Sequence, residues 1–82
     1  MDIEIFGPGC YRCKQLEANI QQAVSELGLS SINIKKISDY KQIVDADIIE
    51  TPGLRINNII KSTGYIPSIE EIKKWLQEDM SV

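Results

Sequence analysis

Two cysteines, Cys10 and Cys13, are the residues with the clearest capacity for chemistry, and they lie in the run Cys10-Tyr11-Arg12-Cys13. Two thiols at this spacing can exchange with a disulfide or hold a soft metal ion. A structural disulfide is less expected inside a cell, where reducing agents keep ordinary thiols reduced. The pair therefore predicts redox or metal chemistry.

The first thiol lies where a strand gives way to a helix. Gly7-Pro8-Gly9 ends an alternating run, and a helical pattern begins at Cys10. The unpaired N–H groups and the positive dipole end of that helix favour an anion, and no Ser, Thr, Asp or Asn stands at the N-cap position. We therefore expect Cys10 to have a lowered pKa and to be the attacking thiol.

The second thiol shares an apolar helical stripe, so we expect Cys13 to point inward. The stripe continues through Leu16, Ile20, Val24 and Leu27. Residues three apart on a helix lie on the same side, and a less accessible sulfur there can resolve a mixed disulfide formed by the first.

A second feature is Thr51-Pro52, which precedes a predicted strand. Proline has no backbone N–H, and a cis bond here would leave a free backbone edge at the mouth of the site. The alternative is an ordinary trans proline that starts a strand, and the local residues leave the two open.

The elements that position these residues follow from periodicity and caps. Gly28 ends the first helix, Asn57-Asn58 suits a tight hairpin, and Asp39 and Ser68 are caps. We predict strands at 2–6, 32–35, 54–57 and 59–63, with helices after residues 9, 39 and 68. The order β-α-β-α-β-β-α, with a right-handed first crossover, gives an α/β fold whose mixed four-stranded sheet is flanked by three helices. Residues 1–82 form a single predicted domain.

Charge and composition exclude several classes of protein. Nine basic and twelve acidic residues are spread without blocks, which argues against nucleic-acid binding. Apolar runs are too short for a membrane span, and the start has no secretory pattern, so we expect a cytoplasmic protein. We also expect a monomer.

Taken together, Gly9-Cys10-Tyr11-Arg12-Cys13, Thr51-Pro52-Gly53 and the closing helix resemble the thioredoxin superfamily. The likeness is to its small thioredoxin-like or glutaredoxin-like redox-active disulfide proteins of archaea and bacteria, and it covers essentially the whole chain. It implies the minimal thioredoxin fold and a thiol-disulfide oxidoreductase without cofactor or metal.

The same resemblance implies the roles of individual residues. Cys10 is nucleophilic, Cys13 resolves, and Pro52 is cis and faces the disulfide. Thr51 offers backbone contacts to substrate, and Tyr11 and Arg12 help to select partners. The implied partners are protein disulfides and an unidentified disulfide reductase of the thioredoxin-reductase kind.

One stretch of the chain departs from the family pattern, and one further residue agrees with it in spacing. Thr63-Gly64-Tyr65 keeps one glycine of the Gly-Gly-x-Asp stretch by which glutaredoxins hold glutathione, so the resemblance does not imply glutathione as a specific partner. Glu4 lies six residues before Cys10, the spacing of the buried acid of thioredoxins. We interpret it as a charge on a wet sheet face, with a proton relay as the alternative.

Two other functions are compatible with part of the pattern. A C-x-x-C after the first strand also resembles copper chaperones, so a Cu(I)- or Zn-binding module is the main alternative. Those proteins end in a strand, whereas this chain ends in a predicted helix and has no histidine. A non-catalytic adaptor is the third possibility, and the intact cysteine pair argues against it.

Overall fold

A computed structural model describes residues 1–9 and 11–80, and in it the chain forms four strands and three helices. In chain order these are β1 (Asp2–Phe6), α1 (Tyr11–Leu27), β2 (Asn33–Ile37), α2 (Tyr40–Asp45), β3 (Gly53–Ile56), β4 (Ile59–Thr63) and α3 (Ile69–Met80). The predicted α/β class, the order of elements and the minimal thioredoxin fold are confirmed.

The strands form one mixed sheet in the order β2-β1-β3-β4. β1 is parallel to β2 and antiparallel to β3, which in turn is antiparallel to β4. β2 ends at Ile37 rather than at the predicted Lys35, because all five residues of β1 find a partner there. Lys35 and Lys36 lie on an edge strand, where charge discourages edge-to-edge association.

α1 ends where the sequence predicts. Gly28 has a φ of +65°, a conformation that L-residues with side chains rarely adopt. Its N–H donates to the Ser25 carbonyl, and the N–H of Leu29 donates to the Val24 carbonyl. These two bonds form a Schellman motif, which satisfies carbonyls that the helix end would otherwise leave unpaired.

One face of the sheet carries the main core. Side chains at alternate positions of β1 and β3 pack there against the buried sides of α1 and α3. The buried members are Ile3, Ile5, Leu16, Ile20, Ala23, Leu54, Ile56, Ile72 and Leu76. The predicted stripe of α1 is thus correct in its main features, although Ala23 is buried and Val24 and Leu27 are only partly so.

The other face carries the six-residue helix α2 at the end of the sheet near Phe6. The Asp39 carboxylate accepts from the N–H of Lys41 and caps this helix, as predicted. A small cluster of Phe6, Ile43 and Ile48 lies beneath it. Gly53 makes room for this cluster, since a Cβ there would come within 2.9 Å of Ile48 Cδ1.

The turn between β3 and β4 and the start of α3 also follow their predicted signals. Asn57 and Asn58 have φ values of +49° and +68°, as a two-residue type I′ hairpin requires. The Ser68 hydroxyl accepts from the N–H of Glu71, 3.1 Å away, to cap α3. None of the helices in residues 1–9 and 11–80 combines the length and apolar character needed to cross a membrane.

Candidate active site

Cys13 is buried in the first turn of α1, with 7% of its surface exposed. Its sulfur approaches the backbone of Gly7, just after β1, so closely that a side chain at Gly7 would overlap it. The predicted inward orientation is confirmed. Cys10, the predicted attacking thiol, lies outside the described residues.

The segment before β3 lies beside the same sulfur. The Cβ of Thr51 is 3.8 Å from the position that a Gly7 Cβ would take, the same position that contacts Cys13. The Thr51-Pro52 peptide bond is cis, the form that the resemblance implies. Phe6, the last residue of β1, pairs with Gly53, the first residue of β3. Pro52, just before β3, therefore lies at the same end of the sheet as Gly7, just after β1. Thr51 is half-buried and Pro52 is buried.

Arg12 does not extend freely into solvent. Its Nη2 donates to the carbonyl of Gly64, 2.8 Å away, while the N–H of Gly64 donates to the Pro52 carbonyl, 3.0 Å away. Gly64 therefore joins the first turn of α1, through its carbonyl, to the residue before β3, through its N–H. The Glu50 side chain packs against Gly64, where any added Cβ would overlap its carboxylate.

Tyr11 occupies the first position of α1 and is 77% exposed. Its ring faces solvent at the same end of the helix as Cys13. An exposed ring at this position can contact a bound protein without rearrangement of the core.

Glu4 lies on the α2 side of the sheet and is half-buried. Arg55 Nε donates to its Oε1 at 2.7 Å and Arg55 Nη2 donates to its Oε2 at 3.0 Å. Hydrogen bonding to Glu4 raises the pKa of Arg55, whose guanidinium also lies 4.9 Å above the centre of the Phe6 ring. The predicted charge of Glu4 is present on this face, and both oxygens of its carboxylate accept hydrogen bonds from Arg55.

Sequence reasoning missed Gly7, Gly64 and Arg55. The signal for Gly7 was weak, because a glycine after a strand is equally typical of an ordinary turn. Gly64 was noted only as the one glycine kept of the Gly-Gly-x-Asp stretch, without a contact assigned to it. The partner of Glu4 depended on the β1–β3 register, which pairs Glu4 with Arg55 and is not written in either strand alone.

No group of three or more His, Cys, Asp or Glu side chains in the described part of the chain is arranged to hold a metal ion. The arrangement instead brings one buried thiol, a close glycine and a cis proline together at the start of a helix. That geometry suits the exchange of a disulfide, in which a shielded thiol reacts with a neighbouring sulfur.

Comparison with known proteins agrees with this geometry. A family model described as a thioredoxin domain matches residues 1–77. A thioredoxin from Methanothermobacter thermautotrophicus is 42% identical over 76 residues, which cover 93% of this chain and 97% of the relative. A thioredoxin from Methanocaldococcus jannaschii is 41% identical over 75 residues, covering 92% and 85%.

These comparisons do not support the metallochaperone alternative. The matched region contains both cysteine positions, Thr51-Pro52 and most of α3. The chain belongs to the thioredoxin family and is a thiol-disulfide oxidoreductase, the class of enzyme that acts on protein disulfides.

Proposed function

We propose that the enzyme reduces protein disulfides by dithiol exchange through Cys10 and Cys13. The observation that carries this proposal is the burial of Cys13 in the first turn of α1, against Gly7 and beside Thr51. A thiol held there is shielded from other reactants, and it follows Cys10 by three residues in the chain.

In the first step the Cys10 thiolate attacks one sulfur of a substrate disulfide. A mixed disulfide forms, and the other substrate sulfur leaves as a thiolate that takes up a proton. Cys13 then loses its proton and attacks the Cys10 sulfur. The second substrate thiol is released, and two electrons have moved from the enzyme to the substrate.

The neighbouring residues supply contacts for that substrate. Thr51 offers backbone groups beside the buried sulfur, and Pro52, whose carbonyl accepts from the Gly64 N–H, holds Thr51 at the site. The exposed ring of Tyr11 provides an apolar contact. Arg12, which is bound to the Gly64 carbonyl, steadies the first turn of α1 while also presenting charge near the site.

The oxidised enzyme has to be reduced again for a second turnover. We assign this step to a disulfide reductase of the thioredoxin-reductase kind, which supplies two electrons. We further propose that residues 1–82 act as a single domain, as a monomer and in the cytoplasm, where thiols are kept reduced.

Two cysteine variants test the assignment of roles. Pre-reduced Cys13→Ser should accumulate a mixed disulfide with disulfide-bonded insulin, because no thiol remains to resolve it, and mass spectrometry should place the link at Cys10. Cys10→Ser should lose insulin reduction by at least about 10³-fold, since the attacking thiolate is absent.

The wild-type protein provides the control. In a glutathione or dithiothreitol redox buffer it should form the Cys10–Cys13 disulfide at a defined ratio of oxidant to reductant. A mixed disulfide trapped by Cys10→Ser instead would reverse the two roles, and a pair that never oxidises would refute the proposal.

A further inference from the structure

The Glu4–Arg55 pair lies on the α2 side of the sheet, two residues before the end of β1. The register places the two residues opposite each other on β1 and β3. Arg55 donates to both carboxylate oxygens of Glu4, at 2.7 and 3.0 Å. Because one planar guanidinium binds both oxygens, the pair has the two-pronged geometry of a strong, closed ion pair.

Phe6 lies between this pair and the buried thiol. Side chains two apart on a strand point to the same face, so Phe6 follows Glu4 on the α2 side, next to Gly7. Phe6 is 1% exposed, and the Arg55 guanidinium lies 4.9 Å from the centre of its ring. The direct path from Cys13 to Glu4 therefore leads past an apolar ring, which has no group that could pass on a proton.

The charges around Glu4 come from every neighbouring element. A cleft of about 330 Å³ is lined by Glu4, Arg55 of β3, Lys35 of β2 and Asp45 of α2, which are two acidic and two basic side chains. Asp2 adds a further carboxylate on β1, at the end of the strand away from the site. Arg55 is the cation that contacts Glu4, so its removal would leave that carboxylate without a bound partner.

The pair is near enough to the thiol for an unbalanced charge to matter. Gly7, whose backbone contacts the Cys13 sulfur, follows Glu4 by three residues, about 10 Å along an extended chain. At that distance one unpaired charge moves the ionisation of a thiol by about 0.5 pH unit in a partly solvated protein. Arg12 and Lys14, the charged neighbours of Cys13 on α1, are unchanged by substitutions on the sheet.

We propose that Arg55 is a positioning residue of the thiol-disulfide exchange. By closing the pair with Glu4, it keeps that carboxylate out of the proton transfer and lets Cys13 ionise beside a neutral pair. The proton that Cys13 loses passes through water to the departing substrate thiolate, while the Cys13 sulfur attacks the Cys10 sulfur. This inference rests on the proposed function, because it concerns the proton of the resolving thiol.

A chromogenic disulfide isolates that step. The reduced protein is mixed with dithiobis(nitrobenzoate) in a stopped flow, where attack by Cys10 releases one nitrothiobenzoate and resolution by Cys13 releases the second. The rate of the second release is independent of reagent concentration. It is measured from about pH 5 to 9 at low salt, where charges are least screened.

Shifts of opposite sign are expected from the two partners. Glu4→Gln leaves the Arg55 cation unpaired, so the pH of half-maximal resolution should fall by about 0.5. Arg55→Gln leaves the carboxylate unpaired, so that pH should rise by about the same amount. The double variant has neither charge and should return to the wild-type profile, which a loss of structure would not do.

Lys61→Gln is the matched control. Lys61 pairs with Asp79 at 3.6 Å, and both side chains are 14% exposed, against 24% and 16% for Arg55 and Glu4. Asp79 lies in the last turn of α3 and accepts from Asn57 in the hairpin, at the far end of the sheet. The control changes the net charge as Arg55→Gln does, but it should leave the profile where it is.

Two kinds of result would overturn the proposal. If Glu4→Gln slowed resolution by about tenfold or more, Glu4 would be the group that takes the proton of Cys13. Unchanged profiles in both single variants, or an equal shift in Lys61→Gln, would show that the pair does not act on the thiol. The proposed function fails separately, because a second release that is absent or depends on reagent concentration would contradict the roles of the two cysteines.

Discussion

The two faces of the sheet are built in different ways. The face under α1 and α3 buries nine side chains between helices of 17 and 12 residues. The face under α2 buries three, beneath a helix of six residues, and next to them lies the charged pair Glu4–Arg55. Burial of apolar surface is the main source of stability, so most of it comes from the first face.

This difference leaves the second face available for contact. A short helix covers only the end of the sheet near Phe6, so its outer side and the segment after it remain exposed. The protein thus combines a closed core on one side with an accessible surface on the other, and the buried thiol lies at the end where the two meet.

The largest expected effect is the loss of a side chain from the closed face. Leu54→Ala should lower the free energy of unfolding by about 2–5 kcal/mol, because it removes apolar contacts and leaves a cavity between two helices and the sheet. Ile43→Ala, on the other face, should cost clearly less, since the short helix can relax over it. Urea unfolding of both variants measures the difference, and equal losses would break the comparison.

The next effect concerns the point where the faces meet. Gly7→Ala should destabilise the protein by about 1–3 kcal/mol, because the added methyl group overlaps the Cys13 sulfur. The displaced thiol should also resolve mixed disulfides more slowly in a stopped-flow assay. Gly28→Ala is the control: its φ of +65° makes alanine costly too, but no side chain or backbone atom lies within 4 Å of the new methyl group. A Gly7 variant that matched this control in thiol reactivity would show that the close contact has no chemical role.

The smallest effect belongs to the charged part of the open face. Arg55→Gln should cost about 0.5–1 kcal/mol, the range of a pair that water can reach, because Glu4 keeps access to solvent. A double-mutant cycle with Glu4→Gln should show a coupling of the same sign and size. If the coupling rivalled the loss in Leu54→Ala, the open face would contribute to stability far more than its few buried residues indicate.

The sequence predicted those parts of the fold that depend on local signals. The Asn57-Asn58 hairpin, the Gly28 stop and the Ser68 cap all act within a few residues, and each lies where it was expected. The end of β2 was wrong by two residues, because strand length is set by the partner strand. That information comes from β1 and is not contained in the residues 32–35.

The site was predictable to the same extent. The inward position of Cys13 followed from a helical stripe, which is a local pattern. The contacts of Arg12 with Gly64 and of Gly7 with Cys13 join residues from different elements, so they required the register and packing of the whole fold. The exposure of Ile49 was missed for a related reason: Ile48 and Ile49 are alike in sequence, and only the turn at Asp47 decides which of them is buried.

The two hydrogen bonds of Gly64 have a practical consequence. Its N–H, in the peptide group with Thr63, is held to the residue before β3, and its carbonyl, in the peptide group with Tyr65, is held from α1, so movement on either side must alter the electronic environment of one of two adjacent amides. Nitrogen-15 labels at Gly64 and Tyr65 would act as a built-in pair of reporters. Their chemical shifts would follow, in a single spectrum and without a probe attached to either thiol, how the two halves of the entrance move as the enzyme cycles between its oxidised and reduced forms.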